Sequence, residues 1–587
     1  MTTPTPICSQ TLMIHNFFKY LRSKGLRTYF NDHPFPVAGR GAGGLQTSPE
    51  EVAFRWKGLT DWMARGLTFW WFDPNWGISI PPPLTNQSGT AGNWNRGLGN
   101  AAWGSHVYYS VVERFRSELA GAGRGRGLAL SKFARDDARP GVGPKGSGRP
   151  PESPAQHRYP VWWTGDGVSM QASVESMVDC GVHDFKPFVH SDCGGDYRGS
   201  GGDLLRWTAH CALGTILRYH GADHRPWTYS AEVEDVVRAY INMRYKLLPM
   251  LIAAGREATR SGFPLAARGD LYWPEQASSR RNDQYIFLQD LLVAPITSSD
   301  ANITGRQVWI PPGGWQDVWS GEVLQGPAEI NTSQPYERQP MYYRRDGGIF
   351  VTSEDVAKRV GDQKWDALVL DVFPAESELD TSRFIYERLH DSITAVLLAT
   401  NGWGQVEVKV RARVARRWTV RVHLRPGQSI ERAFVDGHAS DKVTFIEPLD
   451  SDPGALGYFP FGSSSDPPAP MAGPVAAFHL GRTPIAQQAG SAAQSNIEYE
   501  VALVCCVKQP GSLVPGCLVQ GWSSSFFIVL VVSVALASGL FAIFRSVVRA
   551  RAGYRPAYEP GEQQLLQDRS KKRPDRAPPA KPFPPAR

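Results

Sequence analysis

The sequence predicts an α/β protein whose first part is a parallel barrel and whose later part consists of β domains. Short apolar, β-rich runs alternate with amphipathic helical stretches over about residues 16–220. Most of these runs end in polar or charged residues, which is typical of barrels whose chemistry lies at the carboxyl ends of the strands. Beyond Phe263 the pattern changes to closely spaced strands without helices between them.

Six segments have the pattern of a buried strand that ends in polar residues. In chain order they are LRTYFND, GLTFWWFD, GLALSKF, YPVWWTGD, FKPFVHSD and TILRYHG. The segments EEVAFRWKGLTDWMARG and VSMQASVESMVDCG between them carry the apolar period of helices. A complete (β/α)8 TIM barrel has eight strands. We therefore predict that residues 1–262 form a partial TIM barrel that lacks its first strands.

Strand patterns such as DQYIFLQDLLVAPI and RQVWIPPGGWQDVWSG indicate β structure after the barrel. We predict a proximal β-sandwich at residues 263–350 and a distal β domain at residues 351–462. Residues 463–523 are rich in Ser, Pro, Ala and Gly, a composition that predicts a linker.

An uncharged apolar run of about 19 residues, 526–544, is long enough to cross a bilayer as a helix. Arginines follow it at once, and positive residues mark the cytoplasmic side of a span. We therefore predict a single transmembrane helix at residues 524–545 and a basic, proline-rich cytoplasmic tail at residues 546–587. The barrel would then be lumenal or extracellular.

The amino-terminal residues show no signal peptide, which leaves two alternatives. Either the true amino terminus is missing from this sequence, or the chain is inserted by its carboxy-terminal helix and its bulk is cytosolic. Three N-glycosylation sequons weakly favour the lumen and suggest a glycoprotein. They lie at Asn86, Asn302 and Asn331.

The net charge of +7 gives no reason to expect a nucleic acid partner. From Arg545 onward there are 11 basic and 4 acidic residues, and the rest of the chain is balanced. The seven cysteines are irregularly spaced and form no CxxC or Cys/His pattern. We expect no metal site and no cofactor.

Two aspartates at predicted strand ends are candidate catalytic residues. Asp73 follows an aromatic-rich strand in WWFDPNW, and Asp166 follows another in WTGDG between two glycines that leave room for a ligand. Hydrolysis of a glycosidic bond with retention needs two carboxyl groups about 5–5.5 Å apart, one ionised and one protonated. Two strand-end aspartates are weak evidence alone, because helix capping or an ion pair accounts for most such residues.

The order of the motifs resembles glycoside hydrolase family 31, a family of α-glucosidases and α-xylosidases with a (β/α)8 barrel and a retaining mechanism. WWFDPNW, HRYPVWWTGDG, HSDCGGDYRG, LRWTAHCALGTILRYHG, MRYKLLPML, DQYIFLQDLLVAPI and RQVWIPPGGWQDVWSG occur collinearly. The resemblance covers about residues 17–350 and extends more loosely to 461. It implies an exo-acting glycosidase, most simply an α-glucosidase, that acts on α-linked oligosaccharides or glycosides.

The resemblance implies roles for individual residues. Asp73 takes the position of the nucleophile and Asp166 that of the acid/base, while Pro74 and Trp76 replace a Met and a Glu of the family motif. Arg158 would contact sugar hydroxyls and help to keep the nucleophile ionised. Further substrate-binding positions are implied or suggested at Trp71, Trp163, Asp192, His220 and Asp32.

Departures from the family keep a second hypothesis open. Two barrel strands and an amino-terminal β-sandwich of the family have no counterpart here, and FIYERLHD stands where family members often have Y-E-D-D-G. Unpaired strand edges are a folding liability. The alternative is an inactive or fragmentary family 31-like membrane glycoprotein that binds sugar without hydrolysis.

Overall fold

A computed structural model of the chain describes 17 segments. They are residues 6–32, 49–73, 100–119, 126–131, 161–195, 198–221, 223–300, 302–356, 359–360, 365–387, 392–401, 404–414, 416–435, 438–439, 444–446, 475–480 and 499–508. The descriptions below concern these residues alone.

The first part of the chain alternates strands and helices, as the sequence predicts. The strands are β1 (Tyr29–Asp32), β2 (Phe69–Phe72), β3 (Ala129–Ser131), β4 (Val161–Trp163) and β5 (Phe188–His190). The helices are α1 (Pro6–Ser23), α2 (Pro49–Arg65), α3 (Asn100–Leu119), α4 (Met170–His183), α5 (Gly201–Ala212), α6 (Ala231–Lys246) and α7 (Leu248–Ser261).

The strand pairing is parallel, and the predicted strands lie in chain order. β1, β2 and β3 form one parallel sheet, and β4 pairs with β5 in parallel. The sixth predicted strand makes a parallel bridge from Tyr219 to Cys193, just beyond β5. Five of the six predicted segments are therefore strands, and the sixth makes an isolated bridge among the described residues.

Side chains fill the interior of this barrel segment, because alternate residues of a strand point to the same face. Trp71, Leu130, Val161 and Trp163 form a buried cluster in which parts of Phe188 and Ile216 also pack. The other face of the strands packs on the helices: Trp70 and Phe72 both contact Tyr108 of α3. This alternation determines which strand-end residues can face the barrel mouth.

Further β-sheets follow the barrel helices, and the first of them is antiparallel. The strands β6 (Ala266–Ala267), β7 (Tyr285–Phe287), β8 (Leu291–Val293), β9 (Gly305–Asp317), β10 (Val323–Ser333) and β11 (Met341–Arg344) form one sheet in the order β10-β9-β11-β8-β7-β6. This sheet corresponds to the predicted proximal domain.

Two further sheets form the distal region. The first has the order β12-β13-β17-β21-β20, with β12 (Gly348–Ser353), β13 (Ala367–Phe373), β17 (Arg417–His423), β20 (Thr444–Ile446) and β21 (Val475–Leu480). The second has the order β14-β15-β16-β22-β18-β19, with β14 (Glu378–Glu387), β15 (Ser392–Asn401), β16 (Gln405–Ala412), β18 (Ser429–Val435), β19 (His438–Ala439) and β22 (Tyr499–Lys508).

The structure differs from the predicted linker at residues 463–523. β21 lies in this segment and pairs with β17, while β22 lies between β16 and β18 inside its sheet. The average composition of the segment concealed these strands, since each is stabilised by partners far away in the chain. The predicted boundary at residue 350 likewise falls inside β12.

No helix among the described residues is both long and apolar enough to cross a membrane. The predicted span at 524–545 and the tail at 546–587 lie outside the described residues. The membrane anchor therefore stays a prediction.

Candidate active site

Asp73 lies at the carboxyl end of β2, on the interior face of the barrel segment. Its side chain is largely buried, with 7% exposed. The amide of Asn31 donates a hydrogen bond to its Oδ2 at 2.9 Å. The backbone N–H of Asp73 donates to the carbonyl of Asp32 at 3.1 Å, which extends the pairing of β1 with β2. Two neighbouring strands thus fix both the backbone and one carboxylate oxygen of Asp73.

Asp32 does not face the pocket, although the sequence suggested that it would. Its carboxylate accepts a hydrogen bond from the hydroxyl of Tyr108, a buried residue of α3. Because adjacent residues of a strand face opposite ways, Asp32 lies on the helix side and Asn31 lies on the side of Asp73. The predicted role of Asp32 in the pocket is therefore corrected, and Asn31 takes its place.

Asp166 is exposed in the turn that follows β4. Gly165 and Gly167 on either side have φ of 91° and 70°, in the left-handed region that favours glycine. The two glycines of WTGDG are thus needed for the turn that holds the carboxylate at the strand end. The environments of Asp73 and Asp166 differ: one is packed and hydrogen-bonded, and the other is open to solvent.

Arg218 connects the two aspartates electrostatically, and the sequence analysis did not single it out. Burial lowers the pKa of its guanidinium, whereas interactions with Tyr29, Asp166 and Asp73 oppose that shift. Its guanidinium lies 4.6 Å from the ring centre of Trp71, a cation–π distance. One positive charge is therefore close enough to interact with both predicted catalytic carboxylates.

Asp192 is buried and is held by residues from two other strand ends. Its Oδ1 accepts a hydrogen bond from Nε1 of Trp163 at 2.9 Å and another from Arg218. Its Oδ2 makes no hydrogen bond and lies 3.6 Å from Nδ1 of His220. A buried acceptor without a hydrogen bond is costly, so this oxygen is available for a hydroxyl group of a ligand.

Three predicted site residues lie close together: Asp166 after β4, Asp192 after β5, and His220 in the sixth predicted strand segment. Ligand atoms of Asp166, Asp192 and His220 lie within 4.8 Å of one another. Such a trio could also hold a cation, but the guanidinium of Arg218 already balances the charge of Asp192 and disfavours one. The expectation that no metal is used stays a prediction.

Aromatic rings form one wall of this pocket. The rings of Trp71 and Trp163 are perpendicular, with centres 4.8 Å apart, and the ring of His220 lies 5.8 Å from that of Trp71. Beneath them, His190 is buried on β5 opposite Trp163. Burial and the charge of Arg218 lower the pKa of His190 to about 3, so its ring is neutral at ordinary pH.

The structure brings together Asp73, Asp166, Trp71, Trp163, Asp192 and His220, and the roles given to them stay predictions. Arg158 lies outside the described residues, so its predicted role stays a prediction. Arg218 and Asn31 are the additional residues. Arg218 is two positions before His220, on either side of the bridge residue Tyr219, and in an extended segment this spacing places both side chains on one face.

Comparison with known proteins identifies the same family over two regions. The model of the glycosyl hydrolase family 31 TIM-barrel domain matches residues 151–254, and that of the family 31 C-terminal domain matches residues 266–350. The barrel match includes Asp166, Asp192, Arg218 and His220.

Curated relatives agree with these matches. The chain is 29% identical over 202 residues to alpha-glucosidase 2 of Bacillus thermoamyloliquefaciens. These residues make up 33% of this chain and 25% of the relative. The chain is 24% identical over 236 residues to an alpha-xylosidase of Saccharolobus solfataricus, which covers 38% of this chain and 32% of the relative. The chain therefore matches only a third or less of the length of these relatives.

A solved structure shares the fold. The cycloalternan-forming enzyme of Listeria monocytogenes, in complex with a pentasaccharide substrate, matches with a TM-score of 0.60 and 16% identity. The match covers 84% of this chain and 47% of that enzyme. The chain is therefore similar to glycoside hydrolase family 31 over its barrel region and over the β domain that follows it.

Proposed function

We propose that this protein is a retaining, exo-acting α-glycosidase that hydrolyses O-glycosyl bonds, with an α-glucoside as its substrate. The interaction of Asp73 and Asp166 with the single guanidinium of Arg218 carries the proposal. A double displacement needs two carboxyl groups that face one anomeric carbon, and the shared interaction with Arg218 supports that arrangement.

Asp73 is the nucleophile in this proposal. Arg218 and the hydrogen bond from Asn31 favour its ionised form, and that bond occupies Oδ2. Oδ1 attacks the anomeric carbon, the bond to the leaving oxygen breaks, and a glycosyl ester of Asp73 forms.

Asp166 acts first as the acid and then as the base. In the first step Asp166 gives its proton to the leaving oxygen. Asp166 then takes a proton from water, which attacks the anomeric carbon and restores Asp73. Exposure of Asp166 gives that water access.

Asp192 and His220 would bind hydroxyl groups of the terminal sugar, against the wall formed by Trp71 and Trp163. Oδ2 of Asp192, which makes no hydrogen bond among the described residues, supports this role, since a sugar hydroxyl can donate to it. The names of the relatives, an alpha-glucosidase and an alpha-xylosidase, support a pyranose bound through its α-linkage.

Hydrolysis of 4-nitrophenyl α-glucoside and 4-nitrophenyl α-xyloside by the whole chain tests the proposal. We expect the glucoside to be the better substrate, with the α-anomer as the first product by NMR. Asp73→Asn is the control, and we expect it to lower kcat by at least about four orders of magnitude. Binding of glucosides without turnover would support the sugar-binding alternative, and release of the β-anomer first would contradict retention.

The membrane anchor is a separate proposal, supported by the apolar run at 526–544 and the arginines after it. We expect the expressed chain to remain in the membrane fraction after alkaline carbonate extraction. A matched chain that ends at residue 523 should be released, and equal release of both chains would contradict the anchor.

A further inference from the structure

A tryptophan lies exposed at the rim of the barrel, outside the pocket described above. Trp227 is 67% exposed and belongs to the segment that joins the sixth strand position to α6. Segments that leave the carboxyl ends of barrel strands lie on the same side as the strand-end catalytic residues. Most of the Trp227 side chain is exposed to solvent at this rim, so an apolar ring face is available for a ligand.

The chain places Trp227 close to the pocket. Nδ1 of His224, a buried residue, hydrogen-bonds the carbonyl of His220. The ring of His224 also packs so closely on Gly194 that a Cβ there would lie 2.8 Å from it. His224 therefore contacts the segments that carry both His220 and Asp192. Trp227 is three positions further along the chain, so the Cα atoms of His224 and Trp227 are at most about 11 Å apart.

The segment around Trp227 is held firmly by its neighbours. Pro226, Trp227 and Thr228 form a single 3-10 turn. The guanidinium of Arg198, from the loop after Asp192, donates to the Thr228 hydroxyl at 3.0 Å and to its carbonyl at 2.6 Å. The same guanidinium lies 4.1 Å from the ring centre of Tyr229. An exposed ring on a braced turn loses little entropy when a ligand stacks on it.

We infer that Trp227 is a stacking platform for the second or later sugar of an α-linked oligosaccharide whose terminal sugar occupies the pocket. An exo-acting pocket must let the rest of the chain leave across the rim, and an aromatic face stacks on the C–H-rich face of a pyranose. The inference rests on the proposed function and deepens it. It assigns oligosaccharides, rather than small glycosides, as the preferred substrates.

The test compares maltopentaose with 4-nitrophenyl α-glucoside on the whole chain. Maltopentaose carries four further sugars beyond the one in the pocket, whereas the aryl glucoside carries none. Trp227→Ala should lower the ratio of kcat/KM for maltopentaose to kcat/KM for the aryl glucoside by about fivefold. Trp227→Phe, which keeps an aromatic face, should recover most of that ratio. An unchanged ratio in Trp227→Ala would overturn the platform, as would an equal loss on both substrates.

Phe185→Ala is the matched control. Phe185 is 55% exposed and follows α4, at the opposite end of the strands from the pocket. Its removal should leave the ratio unchanged.

Calorimetric binding of maltopentaose separates this inference from the proposed function. If the wild-type chain has no hydrolase activity, the platform still requires that the chain bind maltopentaose and that Trp227→Ala weaken the binding about fivefold. Absence of wild-type binding, or equal affinity of the two proteins, would overturn it.

Discussion

Two clusters in this protein have the same three side-chain types but different surroundings. In the pocket, Asp192 meets Arg218 and His220. In the distal sheets, Asp371 on β13 meets Arg421 and His423 on β17. In both clusters the arginine and histidine are two residues apart in extended backbone, on β17 in the distal cluster and around the bridge residue Tyr219 in the pocket, so they share a face.

In the distal cluster both carboxylate oxygens of Asp371 are hydrogen-bonded. Arg421 donates to both oxygens of Asp371 at 2.6 Å, and Nε2 of His423 lies 2.6 Å from Oδ1. Burial alone would raise the pKa of Asp371, but the charge of Arg421 and these hydrogen bonds lower it to about 2. By contrast, Asp192 keeps one oxygen without a hydrogen bond, beside the exposed Asp166. Residue types alone therefore do not distinguish a binding site from a structural cluster. A carboxylate oxygen without a hydrogen bond, close to solvent, does distinguish them.

The largest effect is expected from Asp166→Asn in the pocket, and it should fall on rate rather than stability. Loss of the general acid should lower kcat/KM for maltose by about 10³-fold, and the basic limb of the pH–rate profile should disappear. The loss should be smaller for 4-nitrophenyl α-glucoside, whose leaving group needs less protonation. Equal losses on both substrates would contradict the acid role, and the urea midpoint checks that the fold is intact.

Asp371→Asn in the distal cluster should have the opposite effect: it should lower stability rather than rate. It leaves the buried Arg421 without its bidentate carboxylate, and breaking a buried pair costs about 3–5 kcal/mol in free energy of unfolding. The rate per folded molecule should stay at the wild-type value. Asp192→Asn is the matched control: Arg218 keeps Asp73 and Asp166 as nearby charges, so we expect a smaller loss of stability but a severe loss of activity. Similar profiles for both variants would break the comparison.

Acid should destabilise the fold through histidines that are buried and neutral. Burial lowers the pKa of His210 to about 4, and burial with the charge of Arg218 lowers that of His190 to about 3. Below about pH 6.5 the unfolded chain binds protons at these residues and the folded chain does not. Each should reduce the free energy of unfolding by about 1.4 kcal/mol per pH unit until its folded pKa is reached.

Urea denaturation at pH 7 and pH 5 measures this loss. His210→Asn should remove the share of His210 from the slope, and an unchanged slope would contradict the assignment. His423, whose pKa burial also lowers, should contribute with the same sign in the distal cluster.

The smallest effect is expected at Asn31. Asn31→Ala removes the hydrogen bond to Oδ2 of Asp73, so the pKa of the nucleophile should rise and kcat/KM should fall about tenfold at pH 7. The acid limb of the pH–rate profile should move to higher pH, which a merely structural role would not cause. Thr68→Ala is the control. The Thr68 hydroxyl accepts a hydrogen bond from the backbone N–H of Thr28, just before β1, and its loss should leave that limb in place.

The sequence was sufficient to predict the barrel strands and most of the pocket, because strand ends and the period of two are local signals. The same period of two also indicates which neighbouring residues face the pocket, and the prediction did not use it for that. If His220 faces the pocket, so does Arg218, and if Asp73 and Trp71 face it, the neighbouring strand contributes Asn31 rather than Asp32. β22 shows the limit of local signals: its apolar residues were visible, but its place between β16 and β18 depends on contacts distant in the chain.

Trapping of the covalent intermediate tests the central claim most directly. The chain would be incubated with a 5-fluoro-α-glucosyl fluoride, digested, and sequenced by mass spectrometry. We predict one glycosyl adduct, carried by Asp73 and absent from Asp73→Asn. An adduct on any other residue, or turnover of the probe with no adduct at Asp73, would contradict the assignment of the nucleophile.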